Sequence, residues 1–164
     1  MLLLLQFVPI SLAAAFHEVD EASGWGLLDD RRAQLNLRVA EYHVVEEQGG
    51  LPIPKHIDYG SLMTLDIMLS HTSEFEGGIF QTLEADGSFA SHPFERGDAL
   101  IFQSHKYHSI SPVTWGRRNV FIAEIWEGLA RRCPRRCTEP WGACYCAFRP
   151  PELVYRHDRY MERR

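Results

Sequence analysis

The sequence predicts a mainly β protein, a sandwich or barrel of jelly-roll type, with a short helix before it and an irregular tail after it. Between residues 35 and 127, short runs rich in β-branched and aromatic residues give about seven strands, separated by glycine-containing turns. The chain has 164 residues, the length of one domain, with 45% hydrophobic and 24% charged residues. This composition is ordinary for a folded protein and excludes a disordered or fibrous one.

The elements follow in order along the chain. A helix is predicted over Ser11 to Glu21, and a polar turn after it at Asp29 to Arg32. Pro52 and Pro54 predict a break after the first strand, and Ala85-Asp86-Gly87 is typical of a hairpin turn. The predicted strands cover Leu35–Val45, Leu62–Leu69, Ile79–Leu83, Phe89–Phe94, Ala99–Gln103, His108–Val113 and Asn119–Trp126.

The first fifteen residues, MLLLLQFVPISLAAA, are apolar. They are either part of a helix that packs on the domain or a signal peptide cleaved before Phe16. No Lys or Arg precedes the apolar run, which favours the packed helix, and with it a cytoplasmic protein over one in the secretory pathway. The run is too short to span a bilayer and Pro9 interrupts it, so we expect no stable membrane span.

Charge and composition divide the chain into three parts. These are an apolar, helical N-terminal segment (1–34), the jelly-roll domain (35–127) and a Cys/Arg-rich tail (128–164). The tail has nine Arg and four acidic residues, a balance of +5, within a chain whose net charge is −5. The remainder is therefore acidic, at −10, and we expect no nucleic acid partner.

All four cysteines lie in the tail, in the spacing C-x3-C-x6-C-x-C. Three states remain open for them. They form two disulfides in an oxidising compartment, a zinc site, or free thiols as in most cytosolic proteins. The close C-x-C pair is a less usual zinc spacing than C-x2-C. The residues are Cys133, Cys137, Cys144 and Cys146.

Three residues form a candidate metal site. His56 and Asp58 are two apart, so their side chains share one side of a strand end. His108 follows 50 positions after Asp58 and would come from a strand distant in sequence but adjacent in a barrel. Two His and one carboxylate make up the facial triad of non-heme Fe(II) oxygenases.

The surrounding segments, PKHIDYGSLMTLDIMLSHTSEFEGG and GDALIFQSHKYHSISPVTWGRRNVFIAEIW, resemble the 2-oxoglutarate/Fe(II)-dependent dioxygenases, most closely the prolyl 4-hydroxylase-like branch. The matching features are H-x-D, then E-F-E-G-G, then G-D-A-L-I-F, and then a distal His with Pro, Gly and Arg behind it. The resemblance extends from about Arg38 to Glu127. It implies a double-stranded β-helix, the jelly roll of this family.

The resemblance assigns His56, Asp58 and His108 as metal ligands and catalytic residues. In this family the distal His is followed by Pro, Gly and a basic residue at fixed offsets, which His108 satisfies and His105 does not. His105 is therefore expected on the rim. Arg118 is the expected partner of the 2-oxoglutarate C5 carboxylate, since a guanidinium donates two parallel hydrogen bonds.

Other residues of the predicted pocket are less specific. Thr64 either adds a hydrogen bond to the cosubstrate or serves strand packing alone. Asp66 shares the face of Thr64, and Tyr42 is a weaker candidate for the same pocket. The histidines outside the site lack ligand-like spacing and are interpreted as structural or solvated; they are His17, His43, His71, His92 and His157.

The resemblance implies an oxidoreductase that hydroxylates a C–H bond, by analogy that of a peptidyl proline, with oxidative decarboxylation of 2-oxoglutarate. It implies Fe(II), 2-oxoglutarate and L-ascorbate as cofactors, and O2 with a small-molecule or peptide substrate as partners. Two alternatives are a cupin-like metal-binding barrel and a catalytically inactive binding module. Arg118 argues against the first, and the intact triad against the second.

Overall fold

The computed structural model describes residues 12–28 and 35–127, which form one helix and ten strands. The helix α1 covers Leu12–Ser23, and a short 3-10 turn covers Thr72–Glu74. The strands are β1 (Leu35–Val45), β2 (Leu51–His56), β3 (Met63–Met68), β4 (Phe75–Gly77), β5 (Phe80–Leu83), β6 (Phe89–Ser91), β7 (Ala99–Gln103), β8 (His108–Ile110), β9 (Val113–Gly116) and β10 (Arg118–Glu127).

The strands form two four-stranded sheets and one two-stranded ribbon. The first sheet has the order β1-β10-β3-β7, the second β2-β8-β5-β6, and β4 pairs with β9. Every pairing is antiparallel. The predicted mainly β, jelly-roll fold with an N-terminal helix is confirmed.

Strands β3 and β7 of the first sheet are buried on both faces, whereas one face of β1 is exposed. Successive side chains of a strand point to opposite sides, so each face has its own contacts. On its outer face, Met63 and Leu65 pack against Phe16 and Val19 of α1. On its inner face, Phe102 packs against Phe80 of the second sheet, with ring centroids 5.0 Å apart. Helix α1 thus covers the apolar outer face, and the space between the sheets is left for the core and a cavity.

The predicted strands differ from the structure mainly at prolines. The segment with Pro52 and Pro54, predicted as a break, forms β2. Proline is tolerated there because β2 is an edge strand that pairs with β8 at only two positions. The predicted strand His108–Val113 is two strands, since Pro112 lacks the N–H that a continuous ladder requires. The acidic run Glu74–Glu76, interpreted as a turn, is partly strand β4.

Several predictions concern residues outside those described. They are residues 1–11, the predicted polar turn Asp29–Arg32, and the tail from 128 to 164 with its four cysteines. The three-part division at 34 and 127 stays a prediction. Within residues 12–28 and 35–127, no helix is both long and apolar enough to cross a membrane.

Candidate active site

Strands β2 and β8 bring the two candidate histidines together. His56 is the last residue of β2, His108 is the first of β8, and the two are paired in the register. Their rings meet edge to face with centroids 4.9 Å apart. Asp58 follows in the turn after β2. One potential ligand atom from each of His56, Asp58 and His108 lies within 4.8 Å of the others, the only such group found among the described residues.

Asp58 is held so that one of its oxygens faces both imidazoles. Its backbone N–H donates to the Ser104 carbonyl at 2.8 Å, and the Thr64 hydroxyl donates to Oδ2 at 2.6 Å. Oδ1 lies 3.2 Å from Nε2 of His56 and 3.8 Å from Nε2 of His108. Each of the three side chains therefore directs one potential metal-ligand atom to a common point.

The charge state of Asp58 fits a metal ligand. Burial alone would raise the pKa of its carboxyl. The hydrogen bond from His56, the charge of His108 and the hydrogen bond from Thr64 outweigh burial and hold the pKa below its ordinary value. The carboxylate is therefore ionised at neutral pH, as a metal ligand must be.

His108 is oriented by its backbone neighbour and by two aromatic rings. Its Nδ1 lies 3.0 Å from the Lys106 carbonyl, which only accepts hydrogen bonds, so Nδ1 carries a proton and Nε2 is the nitrogen left to bind a metal when the ring is neutral. The ring stacks on Phe80 and meets Phe102 edge-on. His105, in contrast, is exposed in the turn between β7 and β8 and is not part of the group.

Arg118 lies in the same cavity as the candidate ligands. The cavity has a volume of about 420 Å³, and Arg118, the first residue of β10, is 3% exposed on its wall. Its Nε and Nη2, the side edge of the guanidinium, have no hydrogen-bond partner within residues 12–28 and 35–127. A buried fork with an unsatisfied edge is suited to a carboxylate ligand. The donor set of the site thus fits both an Fe(II) ion and a dicarboxylate cosubstrate.

Two neighbours shape the environment of Arg118. Burial lowers the pKa of its guanidinium, while the negative charge of Asp66, another buried residue of the cavity wall, acts in the opposite direction. Gly78 has φ +60°, and a Cβ added to it would lie 2.7 Å from Cδ of Arg118. The side chain can therefore follow its path only because residue 78 has no Cβ.

Thr64 lines the cavity as expected, but with a partner that the sequence did not predict, whereas Tyr42 does not line the cavity. The hydroxyl proton of Thr64 goes to Asp58, so this residue supports a candidate metal ligand whatever it does for the cosubstrate. Tyr42 is 60% exposed and is not among the residues that line the cavity. The expectation that it contributes to the pocket is wrong, because inward and outward positions alternate along β1.

Glu41 and His43 are cavity residues that sequence reasoning missed. Both line the cavity from β1, and Nε2 of His43 lies 2.7 Å from Oε2 of Glu41. The period-2 alternation could have grouped them with Val45, which also lines the cavity. Alternation alone does not show which face of β1 points inward. The register shift between Leu37 and Val39 changes that face, and no residue pattern in the sequence indicates the shift.

The chain is similar to solved structures. An oxidoreductase of the 2OG-Fe(II) oxygenase family from Burkholderia pseudomallei matches with a TM-score of 0.52 at 12% identity, over 76% of this chain and 66% of that chain. A prolyl-4-hydroxylase from Pseudomonas putida matches with a TM-score of 0.45 at 15% identity, over 52% and 49%. A prolyl hydroxylase from Trichoplax adhaerens, solved with a hypoxia inducible factor peptide fragment, matches with 0.47 at 13%, over 71% and 56%.

No protein-family model matches the sequence, and no curated protein matches it. The matches span from about half to just under two thirds of the length of the solved chains named above. At 12% identity, the likeness to the Burkholderia pseudomallei protein concerns the fold and not the activity. The chain therefore has a jelly-roll fold that is also found in the 2OG-Fe(II) oxygenase family.

Proposed function

We propose that the protein is an Fe(II)- and 2-oxoglutarate-dependent oxygenase that hydroxylates a C–H bond of an organic substrate. One observation carries the proposal. Two histidines and one aspartate converge in a cavity that also contains a buried arginine, one edge of which has no hydrogen-bond partner among the described residues. A metal-binding barrel that used no carboxylate cosubstrate would have no use for that edge.

In this proposal His56, Asp58 and His108 hold the metal. Two imidazole nitrogens and one carboxylate are the ligands of oxygenase-type non-heme Fe(II), and three protein ligands leave positions for small molecules. Bound Fe(II) supplies the redox chemistry, in which one atom of O2 enters the substrate C–H bond and the other enters succinate as 2-oxoglutarate loses CO2. Asp58 is available as an ionised ligand, since its hydrogen bonds and the neighbouring histidines hold its pKa below the ordinary value.

Arg118 binds and orients the cosubstrate. Its Nε and Nη2 donate in parallel to the distal carboxylate of 2-oxoglutarate, which aligns the molecule along the cavity. Phe94 lies under the guanidinium, with the ring centroid 5.6 Å from Cζ, and limits its movement. The aromatic wall of Phe80 and Phe102 excludes water beside His108.

The substrate belongs to the same proposal. A cavity of about 420 Å³ has the size of a small-molecule site, which fits a small molecule or one peptide side chain. A peptidyl proline is the substrate that the sequence resemblance implies. L-ascorbate is proposed as a reductant that maintains Fe(II), and it is tested by its effect on turnover.

The test is succinate formation from 2-oxoglutarate by protein loaded anaerobically with Fe(II), after O2 is admitted, with and without L-ascorbate. We expect turnover in the wild type and its loss in His108→Ala and Arg118→Ala. Each variant has a matched control nearby. His105→Ala removes the exposed histidine of the preceding turn, and Arg117→Ala removes the exposed arginine next to Arg118. Both controls should retain turnover.

Direct binding of 2-oxoglutarate distinguishes the alternatives. Iron binding without any 2-oxoglutarate binding would overturn the proposal in favour of a cupin-like barrel. Binding of neither would favour an inactive binding module. If Arg118→Ala retains turnover, a residue other than Arg118 binds the carboxylate of 2-oxoglutarate.

A further inference from the structure

We infer that Arg38, Glu124 and Ser61 form a buried clamp that positions the Asp58 turn and thereby sets the metal affinity of the site. We call these three residues the Arg38 clamp. The inference rests on the proposed function, because it concerns the same metal centre. It assigns a positioning role to residues outside the set of candidate ligands.

The three side chains meet in one compact arrangement. Nη1 of Arg38 donates to Oε2 of Glu124 at 2.7 Å, the Ser61 hydroxyl donates to the same oxygen at 2.5 Å, and Nη1 also lies 3.1 Å from Ser61 Oγ. The side chains of Arg38 and Glu124 are 4% and 0% exposed. Short, charge-assisted hydrogen bonds at this depth fix their partners in one geometry.

A β-bulge brings Arg38 to this place. Leu37 pairs with Ile125 and Val39 with Glu124, so Arg38 is an extra residue between two neighbouring pairs. Arg38 and Val39 are both buried, which breaks the alternation along β1. Bulges redirect side chains near functional sites. Here the bulge directs a cation towards a carboxylate that lies 86 positions away in the sequence.

Ser61 connects the clamp to Asp58. The Ser61 N–H lies 3.3 Å from the Asp58 carbonyl, which closes the turn that carries the carboxylate. Gly60, with φ +85°, lies against the guanidinium of Arg38, since a Cβ there would be 3.5 Å from Nε. The next residue, Leu62, donates its N–H to the Ile125 carbonyl at 2.8 Å, beside Glu124 on β10. The clamp thus holds the C-terminal end of the turn, and Asp58 lies at its N-terminal end.

A buried ion pair is weak evidence for a contribution to the stability of the fold. Replacing a buried ion pair with apolar residues of similar volume is often neutral or stabilising, because two charges must be desolvated to form it. What the clamp adds is directional hydrogen bonding to a turn, and metal sites depend on such outer partners for the orientation of their ligands.

The experiment measures the Kd for Co(II) by titration of the metal-free protein, together with the visible spectrum of the Co(II) complex. Ser61→Ala removes the link to the turn and leaves the ion pair between Arg38 and Glu124. We expect its Kd to rise about 10- to 100-fold, with a changed Co(II) spectrum. Ser61→Thr, which retains the hydroxyl, should restore both. The double variant Arg38→Met/Glu124→Leu removes both charges and should weaken Co(II) binding equally.

A stability control separates positioning from folding. Val19→Ala in α1 destabilises the outer side of the same sheet and should leave the Kd and the spectrum unchanged. If Ser61→Ala and the double variant both bind Co(II) with wild-type affinity, the role of the clamp is overturned and the proposed function still stands. A wild type that binds no metal would overturn the proposed function, and the clamp with it.

Discussion

The Thr64 hydroxyl donates to Oδ2 of Asp58 at 2.6 Å and lies 2.9 Å from Oγ of Ser104. Because the proton of Thr64 is used by Asp58, the Ser104 hydroxyl must donate to Thr64. Ser104 also accepts the backbone N–H of Asp58 through its carbonyl. One buried serine therefore holds Asp58 twice: its carbonyl fixes the Asp58 backbone, and its hydroxyl orients Thr64, which donates to the carboxylate.

Thr64→Val is predicted to weaken metal binding. The valine keeps the shape of the side chain but leaves Oδ2 of a buried carboxylate without its donor, which raises the pKa of Asp58 and loosens its orientation. We expect the Kd for Co(II) to rise about 10- to 100-fold. Thr64→Ser retains the hydroxyl and should bind as the wild type does. Equal affinities in the wild type and Thr64→Val would contradict the prediction.

Acid is predicted to destabilise the metal-free wild type more than its Asp58→Asn variant. The pKa of Asp58 in the folded state lies below the ordinary 3.8, so the unfolded chain binds the proton more readily. The carboxylate stabilises the fold above 3.8, and its contribution is lost as the pH falls through the lower, folded value. Urea midpoints from about pH 6 to about pH 2 measure this. Parallel curves for the two proteins would contradict it.

Gly78→Ala is predicted to impair binding of 2-oxoglutarate. The added Cβ would lie 2.7 Å from Cδ of Arg118, so the arginine must leave its position on the cavity wall. We expect the Kd for 2-oxoglutarate to rise about tenfold or more, in line with the loss of a charged hydrogen-bonding pair. Gly87→Ala is the matched control. It also has a positive φ, +84°, but no atom lies within 4 Å of its added Cβ.

The two glycine variants separate backbone strain from contact with Arg118. Both place a Cβ at positive φ, which should cost each about 1–2 kcal/mol of stability, and the contact with Arg118 adds to that cost in Gly78→Ala alone. Only Gly78→Ala should lose affinity for 2-oxoglutarate, measured by calorimetry on the metal-loaded protein. If both variants lose affinity for 2-oxoglutarate, the cause is the loss of stability and not the contact with Arg118.

Phe16→Ala is predicted to destabilise the domain without altering the metal site. Phe16 is fully buried between α1 and the outer face of the first sheet, so its truncation should cost about 3–5 kcal/mol. Chemical denaturation measures the loss. Leu12→Ala, at a position that is 38% exposed, should cost little. The Kd for Co(II) of folded Phe16→Ala should equal that of the wild type.

The sequence by itself determined the pattern of strands and indicated the candidate metal ligands. Alternation and turn residues predicted β1 and β7 with the bounds that the structure has, because these signals depend on neighbours in the chain. The spacing of H-x-D and the residues behind the distal histidine selected His56, Asp58 and His108 as candidate ligands. The structure brings their donor atoms within 4.8 Å, while their role as ligands stays a prediction.

Only the tertiary structure decided how that site is supported. The hydrogen bonds from Ser104 to Thr64 and from Arg38 to Glu124 join residues 40 and 86 positions apart. Such contacts depend on strand register and on one β-bulge, and a shift of one residue would turn every side chain of a strand to the other face. The local sequence does not determine the register or the bulge, because both depend on the packing of strands that are distant in the sequence.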